Sequence, residues 1–333
     1  MMKRRDLFKT ALSATAGLAS FSVLKPLYAA DDFVFRGPDV PNVPVTKIAD
    51  RTFYFLAVDP EPAPSNFGFF SNPGFVVTSE GVVVVDTGGS VQIGEMLIRQ
   101  IKTVTNKPVV AIFNTHIHGD HWLGNHAFVD AYPNVKIYAH PKVMEHVKNG
   151  AGAVWNGFMS RNTNDANAGT VITPPTLEVQ GGDVIKVGDV DFKVHYMGKV
   201  HSDSDIAIEA VQEKVMFVGD MAMRRVANMA DGNFANSIVA MENFEAMSHI
   251  KYFVPGHGEF DDVSMIRDQK QFFEIIYKTI EQYYDDGLSD FEIRPKITET
   301  EFMQKVAKDW PGFDSTIGRF VSEAYQEFEA SLF

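Results

Sequence analysis

The sequence predicts a mixed α/β fold: two packed sheets with helices on their outer faces, then an added helical tail. Three observations carry this. Apolar strand segments and helical segments follow each other in two successive rounds between residues 45 and 262. The segment VVVV belongs to an apolar hairpin, and the run VVAIF reads as a buried strand. Beyond residue 262 the strands stop, and Phe272, Ile276, Ile280 and Tyr283 share one helical face.

The start differs in kind from the rest. Lys3, Arg4 and Arg5 precede an apolar, small-residue run over 11–24, and Tyr28-Ala29-Ala30 offers a cleavage site. This layout resembles a twin-arginine export signal, which carries folded proteins to the periplasm. The alternative is an uncleaved anchor, but the run is short for a span and is interrupted by Ser, Thr and Gly. Residues 31–44 are rich in Pro, Asp and Gly and read as a linker.

From Val45 the strands VTKIADRTFYFLAV and NFGFFSNPGFVVTSEGVVVVDTGG follow, the second a hairpin turning at Ser79-Glu80-Gly81. Ile93, Leu97, Ile98, Ile101 and Val104 predict a helix over 91–105. Then come strand VVAIFNTH, strand KIYAH and helix PKVMEHVKNG. Residues 150–175 are rich in Gly, Asn and Pro without periodicity and read as a long loop. Strands TLEVQ, DVIKV, DFKVHYM, DIAIEA and KVMFVGD lead to an irregular stretch over 221–237. Helix NSIVAMENFEAMSHI and strand KYFVPGHG close the second round. Gly287 stops the next helix, and helices near 299–309 and 316–331 end the chain. The divisions are a leader over 1–30, a linker over 31–44, a sandwich over 45–262 and a helical extension over 263–333.

Of 333 residues, 45% are apolar and 22% charged, which suits a globular protein with a sizeable core. The net charge of −13 argues against nucleic acid and, once the leader is removed, against acidic membranes as partners. Cysteine is absent, so disulfides, thiolate zinc sites and Cys nucleophiles are excluded.

Three of ten histidines fall within NTHIHGDHWLGN, at 116, 118 and 121, with Asp120 among them. His116 and His118 are two apart, so in extended backbone their imidazoles point the same way. Gly119 lets the chain turn and aim Asp120 and His121 beside them. Nitrogen and carboxylate ligands of this kind suit zinc, with iron or manganese as alternatives. One ion leaves ligands over, and two use them all. Further candidates stand where other strands end: His201 in GKVHSDSD, Asp220 in KVMFVGD and His257 in KYFVPGHG.

The ordered set HIHGDH, HSDSD, GD and PGHG, with Asp86 in VVVVDTGG, resembles the metallo-β-lactamase superfamily over roughly residues 45–260. The resemblance implies an αβ/βα sandwich with a two-metal centre at one edge. It implies that His116, His118 and His201 hold one ion, that Asp120, His121 and His257 hold the other, and that Asp220 bridges them. Asp86 is implied as a residue that orders the ligand loop. An aspartate at 220, where the β-lactamases carry cysteine or serine, resembles the glyoxalase II, lactonase and nuclease branches instead. The export signal and the helical tail look like exported hydrolases linked to sulfur oxidation or quinoprotein systems.

The chemistry expected is hydrolysis of a small ester, thioester, lactone or amide by a hydroxide bridging two Zn2+ ions, oriented by Asp120, with β-lactams at most a minor substrate. The rival is a mononuclear non-haem iron enzyme of the persulfide dioxygenase kind, using His116, His201 and Asp220 as a facial triad. A third reading is a non-catalytic binding protein.

Other candidates are open. Met221, Met223 and Met229, with Trp155 and Phe158, line an apolar pocket or pack a core. Arg224 and Arg225 hold a substrate carboxylate or sulfonate, or are solvated. Asp203 and Asp205 support the ligands or shape a turn. His126 reads as surface, and His140, His146, His195 and His249 as structural. The substrate-binding residues are not legible in sequence. The apolar helical tail offers a homodimer contact.

Overall fold

A computed structural model describes residues 35–226 and 229–333. The leader and the first four linker residues lie outside these. The first sheet contains β1 (Val45–Lys47), β2 (Thr52–Phe55), β3 (Gly74–Val77), β4 (Val82–Val85), β5 (Val109–Phe113), β6 (Lys136–Ala139) and β7 (Leu177–Glu178), in that spatial order. It is antiparallel up to β4 and parallel from β4 to β7. The second contains β8 (Val184–Val187), β9 (Val190–His195), β10 (Ala207–Ala210), β11 (Val215–Gly219) and β12 (Tyr252–Pro255). Only β11 and β12 run parallel there.

The alternation of side chains along each strand builds the layers. Val83, Val85, Ala111 and Phe113 of the first sheet meet Phe192, Val194, Ile208 and Phe217 of the second in one buried core. Val82, Val84 and Ile112 face the other way, against α1 (Val91–Val104) and its Ile93, Met96 and Leu97. Ser90 starts α1, its Oγ accepting from Ile93 N at 3.2 Å. Two short helices follow β5, α2 (Gly119–Trp122) and α3 (Asn125–Ala131), and α4 (Pro141–Lys148) follows β6. On the outer face of the second sheet, Met216, Val218 and Phe253 pack on Met241 and Phe244 of α6 (Phe234–Ala246) and Ile266 of α7 (Val263–Tyr284).

The structure corrects three sequence readings. Residues 151–163 are not loop but helix α5 (Ala151–Thr163). Its apolar side chains point in several directions: Met159 is fully buried, Trp155 and Phe158 half-buried and Val154 exposed, so no amphipathic period shows. Strand TLEVQ shrinks to β7 and joins the first sheet, beside β6. A further helix, α8 (Asp290–Thr298), contains Pro295, whose ring signals a break to any sequence reading. The chain ends in α9 (Glu301–Asp309) and α10 (Phe313–Ser331).

Residues 35–333 form one unit. The arm over 35–44 lacks regular structure but is tied to α1, since Arg99 Nη2 donates to Val40 O at 2.7 Å and Gln100 Nε2 to Val43 O at 2.6 Å. Phe272, Ile276, Ile293, Trp310 and Phe320 of the extension form a core that also takes in Met229 and Phe234. No described helix is long and apolar enough to cross a membrane.

Candidate metal centre

Parallel pairing brings strand ends together, and the candidate residues sit at those ends. Asp86 follows β4 and the cluster 116–121 follows β5, its neighbour. Asp220 follows β11 and His257 follows β12, again neighbours. His201 lies in the loop between β9 and β10.

Among the described residues, two groups could hold a metal ion: His116, His118, His201 and Asp220, and Asp120, His121 and His257. All seven are buried, and the ligand atoms within each group lie within 4.8 Å of one another. Asp220 touches both groups. Its Oδ2 is 3.5 Å from His201 Nε2 and 3.2 Å from His257 Nε2, and its Oδ1 is 3.3 Å from His121 Nε2. Asp120 Oδ2 is 3.2 Å from His121 Nε2 and 3.5 Å from His257 Nε2.

Backbone and side-chain bonds aim each group. His257 Nδ1 donates to Phe70 O at 2.6 Å, which turns Nε2 inward. Asp86 accepts from Thr115 N at 2.8 Å and lies 2.7 Å from His121 Nδ1. His118 presents Nδ1 to the group, 3.0 Å from His201 Nε2, while its Nε2 faces Asp231 Oδ2 at 3.4 Å. Asp231 was not singled out by sequence, since it lies in the irregular stretch and carries no motif. Asp205 takes the turn role: its carboxylate accepts from His201 N, Ser202 N and Ser202 Oγ, each at 2.7 Å. Burial pushes that carboxyl up to about 6.

The donor set fits a cation better than it fits itself. His116 Nε2, His121 Nε2 and Asp220 Oδ1 are buried without a hydrogen-bond partner, which is costly unless a ligand satisfies them. Burial and the nearby His121 hold the His116 imidazole well below its usual range, so its nitrogen is a free lone pair at neutral pH. Burial brings His201 down to about 3. Burial opposes the Asp120 charge, but His121 outweighs it and holds the carboxyl at about 2.

The chain turns at Gly119, where α2 begins, and the glycine has a packing role as well. An added Cβ would lie 2.5 Å from Trp155 Cβ, so the residue is small because α5 packs directly on α2. Gly256 is tighter still, with an added Cβ 1.9 Å from Asp220 Oδ1.

Met221, Met223 and Met229 are buried, and Met221 and Met229 pack in the cores on either side of α6 rather than lining a pocket. Trp155 and Phe158 do line a cleft of 310 Å³ over the centre, with Phe70, Arg225 and, from the extension, Thr316 and Arg319. Arg224 pairs with Asp261 at 2.6 Å and belongs to the scaffold. Asp203 pairs with Lys142 and His146, each at 2.7 Å. His140 stacks on Tyr196, and His195 and His249 both bind Glu209, as suits structural residues.

A model of the metallo-beta-lactamase superfamily matches residues 66–257, from before β3 to the last candidate ligand. The chain belongs to this superfamily. It is 24% identical over 211 residues to a metallo-beta-lactamase type 2 of Bacillus cereus, covering 62% of this chain and 72% of that one. It is 28% identical over 110 residues to a hydroxyacylglutathione hydrolase of Francisella tularensis, covering 33% of this chain and 32% of that one. A stereoselective inverting sec-alkylsulfatase from a Pseudomonas species shares the fold with a TM-score of 0.68 and 14% identity, over 86% of this chain. This chain spans 50% of that sulfatase. The relatives are hydrolases, and the αβ/βα sandwich with added C-terminal helices is the fold expected from sequence.

Proposed function

We propose that this superfamily member is an exported dinuclear metal hydrolase of a small ester, thioester, lactone or amide. The observation that carries it is Asp220, whose two carboxylate oxygens face histidines of both ligand groups. His116, His118 and His201 would hold one ion, Asp120, His121 and His257 the other, and Asp220 both. Bound divalent ions supply Lewis-acid charge and make water nucleophilic near neutral pH. Asp120 lines the cleft and stays ionised at neutral pH, so it accepts a hydrogen bond from the attacking water and orients it. Trp155, Phe158 and Phe70 exclude bulk water from one side.

Zn2+ suits four-coordinate nitrogen and oxygen donors, and iron or manganese compete for the same set. His118 groups with His116, His201 and Asp220, which speaks against a two-histidine iron triad with His118 set back. The layout of residues 1–30 supports export to the periplasm.

The test is metal analysis followed by a substrate panel. Close to two zinc per chain, with ester, thioester or lactone hydrolysis lost on chelation and restored by zinc, is the expected result. Asp120→Ala should remove most activity with the fold kept. One iron per chain with oxygen uptake, or full hydrolysis after chelation, would overturn the reading.

A further inference from the structure

The cleft over the centre has two chemically distinct sides. Phe70, Trp155 and Phe158 are aromatic, and Arg225 and Arg319 are cationic. Among the described residues, Glu61 is the one carboxylate lining it besides Asp120 and Asp220. The superfamily match ends at residue 257, so Thr316 and Arg319 reach the cleft from a helix outside it.

That reach is fixed by the chain. Val226 N donates to Pro311 O at 3.0 Å, tying the segment that bears Arg225 to the start of α10. An added Cβ on Gly312 would lie 2.6 Å from Val226 O, and this glycine has φ 81°, so the approach admits no side chain. Thr316 and Arg319 are three apart and share a helix face. Glu323 Oε1 accepts from Arg319 Nε at 2.7 Å, and Glu323 Oε2 accepts from Met229 N at 3.3 Å. The guanidinium is thus anchored to the loop that follows Asp220.

Arg225 lies with its guanidinium 5.6 Å from the Phe70 ring centre and donates through Nη1 to Pro60 O. Its Nη2 is 3.0 Å from His257 Nε2. That nitrogen has one lone pair, which accepts from Arg225 or binds a cation, and not both. Loading the centre therefore turns an Arg225 N–H over to whatever occupies the cleft.

We propose that Arg225 and Arg319 form an oxyanion-recognition subsite, with Arg319 supplied by the C-terminal extension. The substrate carries an apolar group against Trp155 and Phe158 and a negative group held by the two guanidiniums. Planar guanidinium forks match carboxylate, sulfonate and phosphate oxygens. The inference rests on the hydrolase reading only in taking this cleft as the substrate site.

Calorimetric binding of octanoate and its neutral counterpart octanamide to the metal-loaded protein tests it, with no turnover needed. Octanoate should bind about tenfold or more tighter than octanamide. Arg319→Gln should remove most of that preference, weakening octanoate far more than octanamide, and leave metal content unchanged. Trp155→Ala should weaken both probes. Equal affinity for the two probes overturns the proposal. So does a preference that survives Arg319→Gln, because the carboxylate would then sit on the ions or on Arg225 alone. Absence of hydrolysis would count against the hydrolase reading and leave this result standing.

Discussion

Asp86 Oδ2 lies 2.7 Å from His121 Nδ1, and the same oxygen accepts the Thr115 hydroxyl at 2.8 Å. Thr115 Oγ1 in turn lies 3.1 Å from His116 Nδ1. One carboxylate therefore orients a histidine in each ligand group, directly for His121 and through Thr115 for His116. Both rings are left with Nε2 facing the centre, which is the tautomer a cation requires. The aspartate sits at φ 61°, a left-handed backbone that Asp and Asn tolerate better than other side chains.

Asp86→Asn should keep that backbone and lose the charge. Metal affinity should fall by about 10–100-fold, as expected when an outer partner of a ligating histidine is removed. Competition with a chromophoric chelator measures it. Affinity equal to the parent would mean that Asp86 only shapes the turn.

Gly256→Ala should be the most damaging single methyl at the centre. The added carbon would displace the Asp220 carboxylate and crowd His121 Cε1, 3.0 Å away. Because Asp220 touches both ligand groups, occupancy of both should drop together, while circular dichroism stays near that of the parent. Loss of one ion with the other intact would show that Asp220 serves a single group.

Metal loading should release a proton, and its source is specific. Burial lowers the His121 pKa, but Asp120, Asp220 and Asp86 outweigh this and hold it well above the usual value. The metal-free protein thus holds the proton on this imidazole to higher pH than an ordinary histidine does. His116 and His201 are already neutral, and Asp120 and Asp220 already ionised. The sign follows: with the folded pKa raised, this proton stabilises the metal-free fold fully below about 6.5. That stability is lost as pH rises through the raised pKa. Zinc competes with the proton, so affinity should climb with pH by up to about tenfold per unit until His121 titrates. Calorimetry just above a pH of about 6.5, in buffers of different ionisation heat, counts the protons. A heat independent of buffer would contradict this assignment.

The candidate ligands were readable because chemistry and strand period coincide. Asp120, His121, Asp220 and His257 follow apolar strands where the backbone leaves the sheet, and parallel pairing of β4 with β5 and of β11 with β12 lines those ends up, with His201 brought in by the loop between β9 and β10. The cleft wall was not readable for the opposite reason. Trp155 and Phe158 sit on a helix that Gly152 and Gly157 disguise as loop. Gly152 is small because an added Cβ would meet Ile172 at 2.7 Å, a contact visible only once the chain has folded. Arg319 and Thr316 lie some 60 residues beyond the last candidate ligand. Their place at the centre depends on how α10 docks, and a linear pattern carries no record of docking.

That docking yields a last prediction. Glu327 of α10 accepts from Phe234 N at 2.7 Å and from Ala235 N at 3.0 Å. These are N–H groups at the start of α6, where a helix has no internal acceptors and where a negative charge meets the positive end of the dipole. The extension thus caps a helix of the sandwich domain rather than resting on its surface. Glu327→Ala leaves two part-buried donors without that acceptor, at a cost of about 1–3 kcal/mol. Glu329 lies on the same helix but, among the described residues, its carboxylate bonds the Tyr284 hydroxyl alone, at 3.0 Å in an exposed setting, so Glu329→Ala should cost about 0.5 kcal/mol or less. Thermal unfolding of the two variants side by side decides it. A larger loss of melting temperature for Glu327→Ala, with a single transition, marks the extension and the sandwich as one cooperative unit. Equal melting temperatures, or two separate transitions, would mean that the helices fold apart from the sheets.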